Sequence, residues 1–289
     1  MSGKPKKAFH SRRRREKTAN TVSFLLVVFL ALGAMFPIWW IFRSSLMTNA
    51  QLMTNPPVLF PKEWLFSNYT ETLKSFLFWR YFKNTMTIIV PSVLAGTITA
   101  TMCGYAFARL RFPGKKFLFS LCIGSMLLPG MVTLVPLYIT WTKFLHLGGT
   151  YWPLIIPFFC GGGAFNIFLI RQFIRTIPRE LDEAATIDGA GHIRILTNII
   201  VPAIKPAMIV VALMMFIFLW NDVLNQMVYI NSMEQYTIAI GLNIFRGAYG
   251  TNWKNTMAAT CMSFMPGVIF YLIGQKYFVE GIVMTGMKN

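Results

Sequence analysis

The most highly charged segment in the middle of the chain is 178-PRELDEAATIDGAGHIRILTNIIVP-202, with four acidic and three basic residues. These groups do not form a catalytic set, because His10, His146 and His192 lie in three separate segments without a Ser/His/Asp or metal-ligand constellation around them. The sequence also lacks GxxxxGK followed by Ser or Thr, the signature of a phosphate-binding loop. We therefore expect no active site, metal or cofactor in this chain.

The first half of this charged segment has the pattern of a short helix. Pro178 suits the first turn of a helix, and three acidic residues follow it at the positively polarised N-terminal end. Leu181, Ala184, Ala185 and Asp188 recur at helical spacing and give the helix a face of mostly small residues. Such a face allows close contact with a groove on a partner protein.

The second half has the pattern of a turn and another short helix. Gly189 lies in the turn sequence 188–191, where a glycine can take a positive φ, and apolar residues then recur at helical spacing. We expect Pro202 and Pro206 to end this helix before the next apolar run. Two short helices at a sharp angle would project as a contact surface. The alternative is a loop along the membrane surface, and the residues alone favour neither.

The surrounding sequence is that of a membrane protein. Of 289 residues, 55% are hydrophobic and 13% are charged, whereas about a quarter of an ordinary soluble domain is charged. A transmembrane helix needs about 20 apolar residues. Six runs qualify: 21–43, 84–108, 117–140, 151–173, 206–230 and 256–278. We expect an all-α polytopic protein in which Gly161-Gly162-Gly163 permits a close helix approach or a break in the fourth span.

The distribution of positive charge predicts the orientation in the membrane. The formal net charge is +17, and residues 4–17 hold eight Lys and Arg directly before the first apolar run. A basic tail of this kind is not the aromatic-interleaved surface of a nucleic-acid binder, and we assign it to membrane orientation and anionic lipid. With the N-terminus in the cytoplasm, 19 of the 27 Lys and Arg fall on the cytoplasmic side.

This orientation divides the chain into five parts. We predict a cytoplasmic tail at 1–20, a first span at 21–43, an extracytoplasmic loop at 44–83, a five-helix core at 84–278 and a cytoplasmic tail at 279–289. The apolar run continues through MFPIWWIF after the small residues ALGA, so we interpret the first run as an uncleaved span. Both termini are then in the cytoplasm.

The charged segment carries a family signature. Glu183-Ala184-Ala185, Gly189, Ile199 and Pro202 match the EAA loop of the membrane subunits of binding-protein-dependent ABC importers, with Val201 where leucine is usual. Further matches resemble the carbohydrate branch and, more narrowly, its smaller maltose-type permease: GYAFARLRFPGKK (104–116), LPGMVTLVPLY (128–138), FLIRQFIRTIPRELDEAATIDGA (168–190), LWND (219–222) and YGTNW (249–253).

The resemblance implies a function for the loop 178–202. It would be a pair of coupling helices seated on a separate ATP-hydrolysing subunit, with Glu183, Ala184, Ala185, Asp188, Gly189, Ile199 and Pro202 as the coupling residues. Glu183 would hold the helix pair in shape or pair with basic residues of the ATPase. The alanines would allow close approach, and Gly189 would permit the turn.

The resemblance also implies a set of partners. These are a second, larger permease in a heterodimer, two copies of an ATPase that bind ATP and Mg²⁺, and an extracytoplasmic sugar-binding protein. The chain would lie among the lipids of a bacterial or archaeal inner membrane, would carry no catalytic activity of its own and would contact no nucleic acid.

Two further groups of residues are candidate sites. Asp222 is the only acid inside a predicted span. Trp220, Asn221, Asp222 and Asn225, together with Gln226, could line a polar path for a sugar, with the Trp220 ring stacked on it. Since the resemblance places the sugar mainly on the larger permease, a structural role for Asp222 is favoured.

The second group lies in the outer loop 231–255. By resemblance, this loop contains a finger that enters the binding protein, with Asn243, Arg246 and Tyr249 at its tip, and the alternative is a plain connector. For the whole chain, the alternative function is an ion- or proton-coupled secondary transporter without an ATPase. That function calls for internal repeats and several intramembrane ionisable groups, and we find no convincing repeat and a single such acid.

Overall fold

All regular secondary structure is helical in the part of the protein that its computed structural model describes, which is the backbone of residues 6–248 and 252–286 and the side chains of residues 19–248 and 252–276. The α-helices are α1 Lys6–Ser45, α2 Asn49–Leu52, α3 Ser67–Ser75, α4 Phe78–Arg109, α5 Lys115–Gly124, α6 Gly130–Ile139, α7 Trp152–Ile155, α8 Ala164–Thr176, α9 Glu180–Ile187, α10 His192–Ile195, α11 Val201–Asn221, α12 Leu224–Tyr229, α13 Ile238–Ala248 and α14 Trp253–Gly286. Short 3-10 segments are Ser125–Leu127, Ile156–Cys160 and Met233–Gln235, and π-helical segments are Thr140–Phe144 and Leu196–Ile200.

Among the described residues, five apolar stretches are long enough to cross a bilayer, or six if a bent pair of helices counts as one span, which confirms the predicted fold class. Five of them cover the ranges Ala19–Ser45, Phe78–Arg109, Trp152–Thr176, His192–Asn221 and Trp253–Lys276. The sixth is the bent pair Lys115–Leu127 and Gly130–Phe144. The last helix continues in backbone to Gly286, so residues 279–286, predicted as a tail, are helical.

The third span is broken. Its two halves meet at an angle of 102°. Leu128 is extended at φ −77° and ψ 119°, and Pro129 precedes the second half. A residue before proline is driven out of the helical region because the proline ring clashes with its backbone, which accounts for the break.

The fifth span begins earlier and ends earlier than predicted. We expected a separate short helix ended by Pro202 and Pro206 and then a span at 206–230, but one helical stretch runs from His192 to Asn221. The expectation was wrong because Pro202 lies at the start of α11, directly after the π-helical turn Leu196–Ile200. Proline is tolerated in the first turn of a helix, and a wider turn accommodates its missing N–H.

The chain divides into two compact units, one formed by residues 1–72 and 249–261 and the other by residues 73–248 and 262–289. In the first unit, the Asn68 amide donates to the carbonyls of Ser45 and Met47 at 2.9 and 3.0 Å. An ion pair of 2.7 Å joins Lys254 to Glu71 in the same unit.

The core of the second unit packs α4 against α8 and α11. Glycines make this packing close: a Cβ at Gly104 would lie 2.7 Å from the side chain of Ile170, and one at Gly96 would lie 2.7 Å from Met215. The fourth span breaks at Gly161-Gly162-Gly163, where all three φ angles are positive and the Thr99 hydroxyl accepts a hydrogen bond from the Gly161 N–H at 2.9 Å. The three glycines therefore supply both a break and, at Gly162, a close approach to Met215.

Candidate functional site

The charged segment folds as a helix, a glycine turn and the start of the fifth span. Helix α9 begins at Glu180 with three acidic residues in its first turn and ends at Asp188. Gly189 follows at φ +79°, and the N–H of Ala190 donates to the carbonyl of Ala185 at 2.9 Å. Glycine takes this left-handed conformation without a steric penalty, so the predicted turn is confirmed.

A buried ion pair ties α9 to the end of the second span. The guanidinium Nε of Arg109 lies 2.8 Å from the Asp182 carboxylate, and the two side chains are only 6% and 17% exposed. The same guanidinium donates through Nη2 to the carbonyl of Ile177 at 2.8 Å. This pair is not evident in the sequence, because Asp182 stands among other acids and its partner lies 73 positions away.

The predicted coupling residues divide between an inner and an outer face. Ala185 and Ile199 are partly buried against the hydrophobic core of the second unit, so they hold the segment to the bundle. Ala184, Asp188 and Gly189 are exposed, as is Pro202 at the start of α11. Ala185 therefore packs on the bundle and Ala184 does not, and contact of the two alanines with a partner stays a prediction.

Glu183 is exposed, and within the side chains that the structure describes it has no hydrogen bond or ion pair. The segment is instead tied down by the neighbouring Asp182, so the first of the two roles expected for Glu183 is not observed. Pairing of Glu183 with basic residues of another subunit stays a prediction.

The outer face of the segment carries large apolar side chains, of which the sequence placed Leu181 on the predicted contact face but did not single out Ile187 and Ile193. Leu181, Ile187 and Ile193 are 49%, 87% and 80% exposed. Large aliphatic side chains exposed to this extent next to charged residues are typical of a surface that contacts another protein or the membrane. Their residue types gave no signal, because isoleucine at helical spacing is equally typical of a core.

Asp222 lies beyond the end of the fifth span and not inside it, contrary to expectation. Its Oδ1 accepts hydrogen bonds from the backbone N–H and the side-chain amide of Asn225, both at 3.1 Å, and its Oδ2 accepts from the same amide at 3.0 Å. Burial raises the pKa of the Asp222 carboxyl above its usual range, and these hydrogen bonds act in the opposite direction. The carboxylate thus accepts a hydrogen bond from an N–H in the first turn of the short helix α12, whose N-cap residue is Val223.

The other residues of the predicted sugar path differ in accessibility. Trp220 is buried, with its ring stacked on Phe216 at 5.5 Å, so it offers no open face for a sugar in this state. Gln226 is fully buried, and its amide donates to the carbonyl of Leu219 at 3.0 Å. Asn221 is exposed and donates to the carbonyl of Ile217, while Asn225 is half-buried. Only Asn221, Asp222 and Asn225 remain available to line a path.

The predicted finger is an amphipathic helix over most of its length. In α13, Ile240 and Phe245 are buried, and the Phe245 ring lies 5.4 Å from that of Phe76. Asn243 and Arg246 are exposed on the opposite side. The third residue of the expected tip, Tyr249, lies outside the described residues.

Within the described side chains, no group of three His, Cys, Asp or Glu could hold a metal ion. The projecting surface of the charged segment is therefore the strongest candidate for function in this part of the chain. We call residues 178–202 the coupling segment from here on.

Comparison with known proteins gives a consistent result over nearly the whole chain. The chain is 30% identical over 286 residues to the arabinooligosaccharides transport system permease protein AraQ of Halalkalibacterium halodurans, covering 95% of this chain and 100% of that protein. It is 26% identical over 269 residues to the diacetylchitobiose uptake system permease protein DasC of Streptomyces coelicolor, covering 91% and 95%.

A solved structure agrees in fold. A chain of a bacterial ABC transporter involved in the import of the acidic polysaccharide alginate superposes with a TM-score of 0.78 at 28% identity, covering 92% of this chain and 98% of that one. Residues 92–283 match the family described as binding-protein-dependent transport system inner membrane component. The chain therefore belongs to this family of multi-pass membrane permeases, and it is the permease subunit of an ABC importer.

Proposed function

We propose that this chain moves a sugar or oligosaccharide into the cell by alternating access, driven by ATP that a separate subunit hydrolyses. The sugar transport named for AraQ and DasC supports the substrate class. The observation that carries the proposal is the coupling segment, which presents Ile187 and Ile193 to the outside and is fixed to the bundle by Arg109 and Asp182. A secondary transporter would have no use for such a surface.

In this proposal the coupling segment is the point at which force enters the permease. Two copies of a cytoplasmic ATPase bind ATP with Mg²⁺, and their closure moves the segments seated on them. A ligand shifts a conformational equilibrium only through its differential affinity for two states. Here ATP binding favours the closed ATPase pair, and the permease follows as a rigid body.

The proposed assembly contains a second, larger permease, two ATPase copies and an extracytoplasmic sugar-binding protein, with both termini of this chain in the cytoplasm. The Lys and Arg bias supports that orientation. The exposed Asn243 and Arg246 of α13 are suited to contact the binding protein, with Tyr249 completing the finger. Asn221, Asp222 and Asn225 contribute at most the edge of the sugar path.

The test is co-purification of the complex from native membranes in mild detergent, with the tagged chain carrying Ile187→Glu and Ile193→Glu. We expect the unaltered chain to retain an ATPase and a second permease. The variant should lose the ATPase and keep the permease, because its charges would be buried without partners at the ATPase contact. Thr197→Glu is the matched control, because Thr197 is exposed on the same segment and its change adds a charge.

An unaltered chain that purifies without any ATPase would refute the proposal. Retention of the ATPase by the double variant would instead refute only the location of the contact. The sugar is then identified by screening the co-purified binding protein.

A further inference from the structure

A cluster of cations includes the start of the coupling segment and the helices next to it. A cleft of about 480 Å³ is lined by Arg109, Arg175, Thr176, Ile177, Pro178, Arg179 and Glu180. Lys115 lies within electrostatic reach of Arg171, Arg175 and Arg179. We call the five cations Arg109, Lys115, Arg171, Arg175 and Arg179 the basic cluster.

The cluster is assembled by three helices and held by backbone carbonyls. Lys115 donates through Nζ to the carbonyl of Leu110 at 2.7 Å, and Arg171 donates through Nε to the carbonyl of Phe107 at 3.3 Å. The Arg171 guanidinium also lies 4.0 Å above the ring of Phe119. These contacts fix the two cations in place while leaving other donors of each free.

The positive charge of the cluster is not neutralised locally. Among the described side chains, Asp182 is the one acid that pairs with a member of the cluster, and its partner is Arg109. Glu180 lines the cleft, and its negative charge opposes anion binding. The other four cations of the cluster have no ion pair within the described residues, so positive charge exceeds negative charge here. Arg175 and Arg179 are exposed, so their guanidinium groups are accessible.

The position of the cluster along the spans selects the kind of anion. Arg109 ends the second span, Lys115 begins the third, and Arg171 lies in the last turns of the fourth. Cations at the ends of apolar helices lie at the level of the lipid headgroups. The exposed apolar side chains of Phe117 and Leu118 follow on α5 and offer a surface for acyl chains.

From this arrangement we propose that the basic cluster binds the headgroup phosphate of an anionic phospholipid. Basic pockets between membrane helices on the cytoplasmic side recognise such headgroups. The bound lipid neutralises charge next to Arg109 and Asp182, at the point where the coupling segment joins the second span. This proposal rests on the proposed function in one respect only, which is that the cluster faces the cytoplasm.

The test uses the complex purified from native membranes and examined by native mass spectrometry. It is titrated separately with dioleoyl phosphatidylglycerol, dioleoyl phosphatidylcholine and inorganic phosphate. We expect retention of phosphatidylglycerol by the unaltered complex and about 30-fold weaker retention by the double variant Arg175→Gln, Arg179→Gln, given the contribution of each cation near an anionic surface. The control Lys83→Gln, Lys205→Gln removes the same charge from exposed sites elsewhere and should retain the lipid.

Three results would overturn the proposal. Equal retention of the two lipids would show that headgroup charge is not recognised, and binding of inorganic phosphate in place of lipid would indicate a soluble anion. Loss of the ATPase subunit from the Arg175→Gln, Arg179→Gln variant would indicate a protein contact. The same spectra show whether an ATPase is present in the unaltered complex. Absence of the ATPase would refute the proposed function, and this result is distinct from a failure to bind lipid.

Discussion

Removal of the Asp182 carboxylate by Asp182→Ala tests whether the coupling segment is held to the second span by charge. The pair is short, at 2.8 Å, and both side chains are nearly buried. Breaking a buried ion pair by removing one partner costs about 3–5 kcal/mol, because the remaining charge stays buried without compensation. Since each 1.4 kcal/mol is a factor of about ten, local opening of α9 should become more frequent by about a hundredfold or more.

Hydrogen exchange of the backbone amides in Glu180–Ile187, measured on the purified complex, reports how often α9 opens. The matched control is Glu183→Ala, which removes the adjacent carboxylate on the same helix, where the structure records no ion pair. We expect faster exchange in the Asp182 variant and little change in the Glu183 variant.

A second comparison separates attachment from charge. The double change Arg109→Met, Asp182→Leu replaces the pair with apolar side chains of similar volume, and such replacements of buried pairs are often neutral or stabilising. We expect exchange in α9 to return to the unaltered level. Equal exchange rates in the Asp182→Ala, Glu183→Ala and unaltered complexes would refute the reasoning, since the ion pair would then contribute nothing to holding the segment.

Three further outcomes follow from the backbone and burial. Gly189→Val should abolish sugar uptake and Gly191→Val should not. Both added side chains would enter open space, but only Gly189 has a positive φ, which valine does not readily adopt. The measurement is sugar uptake by cells that hold equal amounts of each variant in the membrane. Gly104→Ala should lower the thermal stability of the complex by about 1–3 kcal/mol through overpacking, whereas Gly124→Ala should leave it unchanged in a melting assay. The Asp222→Asn variant should melt at the same temperature as the unaltered protein, or higher, at neutral pH. The raised pKa of Asp222 means that the native state favours the neutral carboxyl, so the unaltered protein loses stability as the pH rises through that pKa, whereas asparagine stays neutral. A stable Asp222→Asn variant without uptake would show that the carboxylate acts on the substrate.

The number and approximate position of the spans follow from the sequence, because a bilayer demands about 20 apolar residues whatever the packing. The effect of each proline does not follow from its presence. Pro129 accompanies a sharp break, whereas Pro202 and Pro206 lie within a continuous helical stretch. The difference depends on whether neighbouring turns can widen to accommodate a missing N–H, and single residues do not encode that.

The coupling segment was found from its sequence, but its attachment was not. The glycine turn follows from local chemistry, since few other residues tolerate a positive φ. The choice of Asp182 over Glu183 as partner of Arg109 depends on the direction in which α9 leaves the bundle. The same direction determines that Ala185 packs against the core and that Ile187 is exposed. Tertiary packing sets this direction.

The corrected course of the fifth span explains how movement of the coupling segment can reach the far side of the membrane. A continuous helix of 30 residues from His192 to Asn221 is about 45 Å long, at about 1.5 Å per residue. Its first turns belong to the coupling segment, and its last turn carries the buried Trp220, two residues before Asp222. A separate short helix ended by proline would have left a flexible joint between them. In the proposed mechanism, the Arg109 pair transmits a displacement of α9 to the second span, and the unbroken helix that begins at His192 transmits movement of the coupling segment to Asn221.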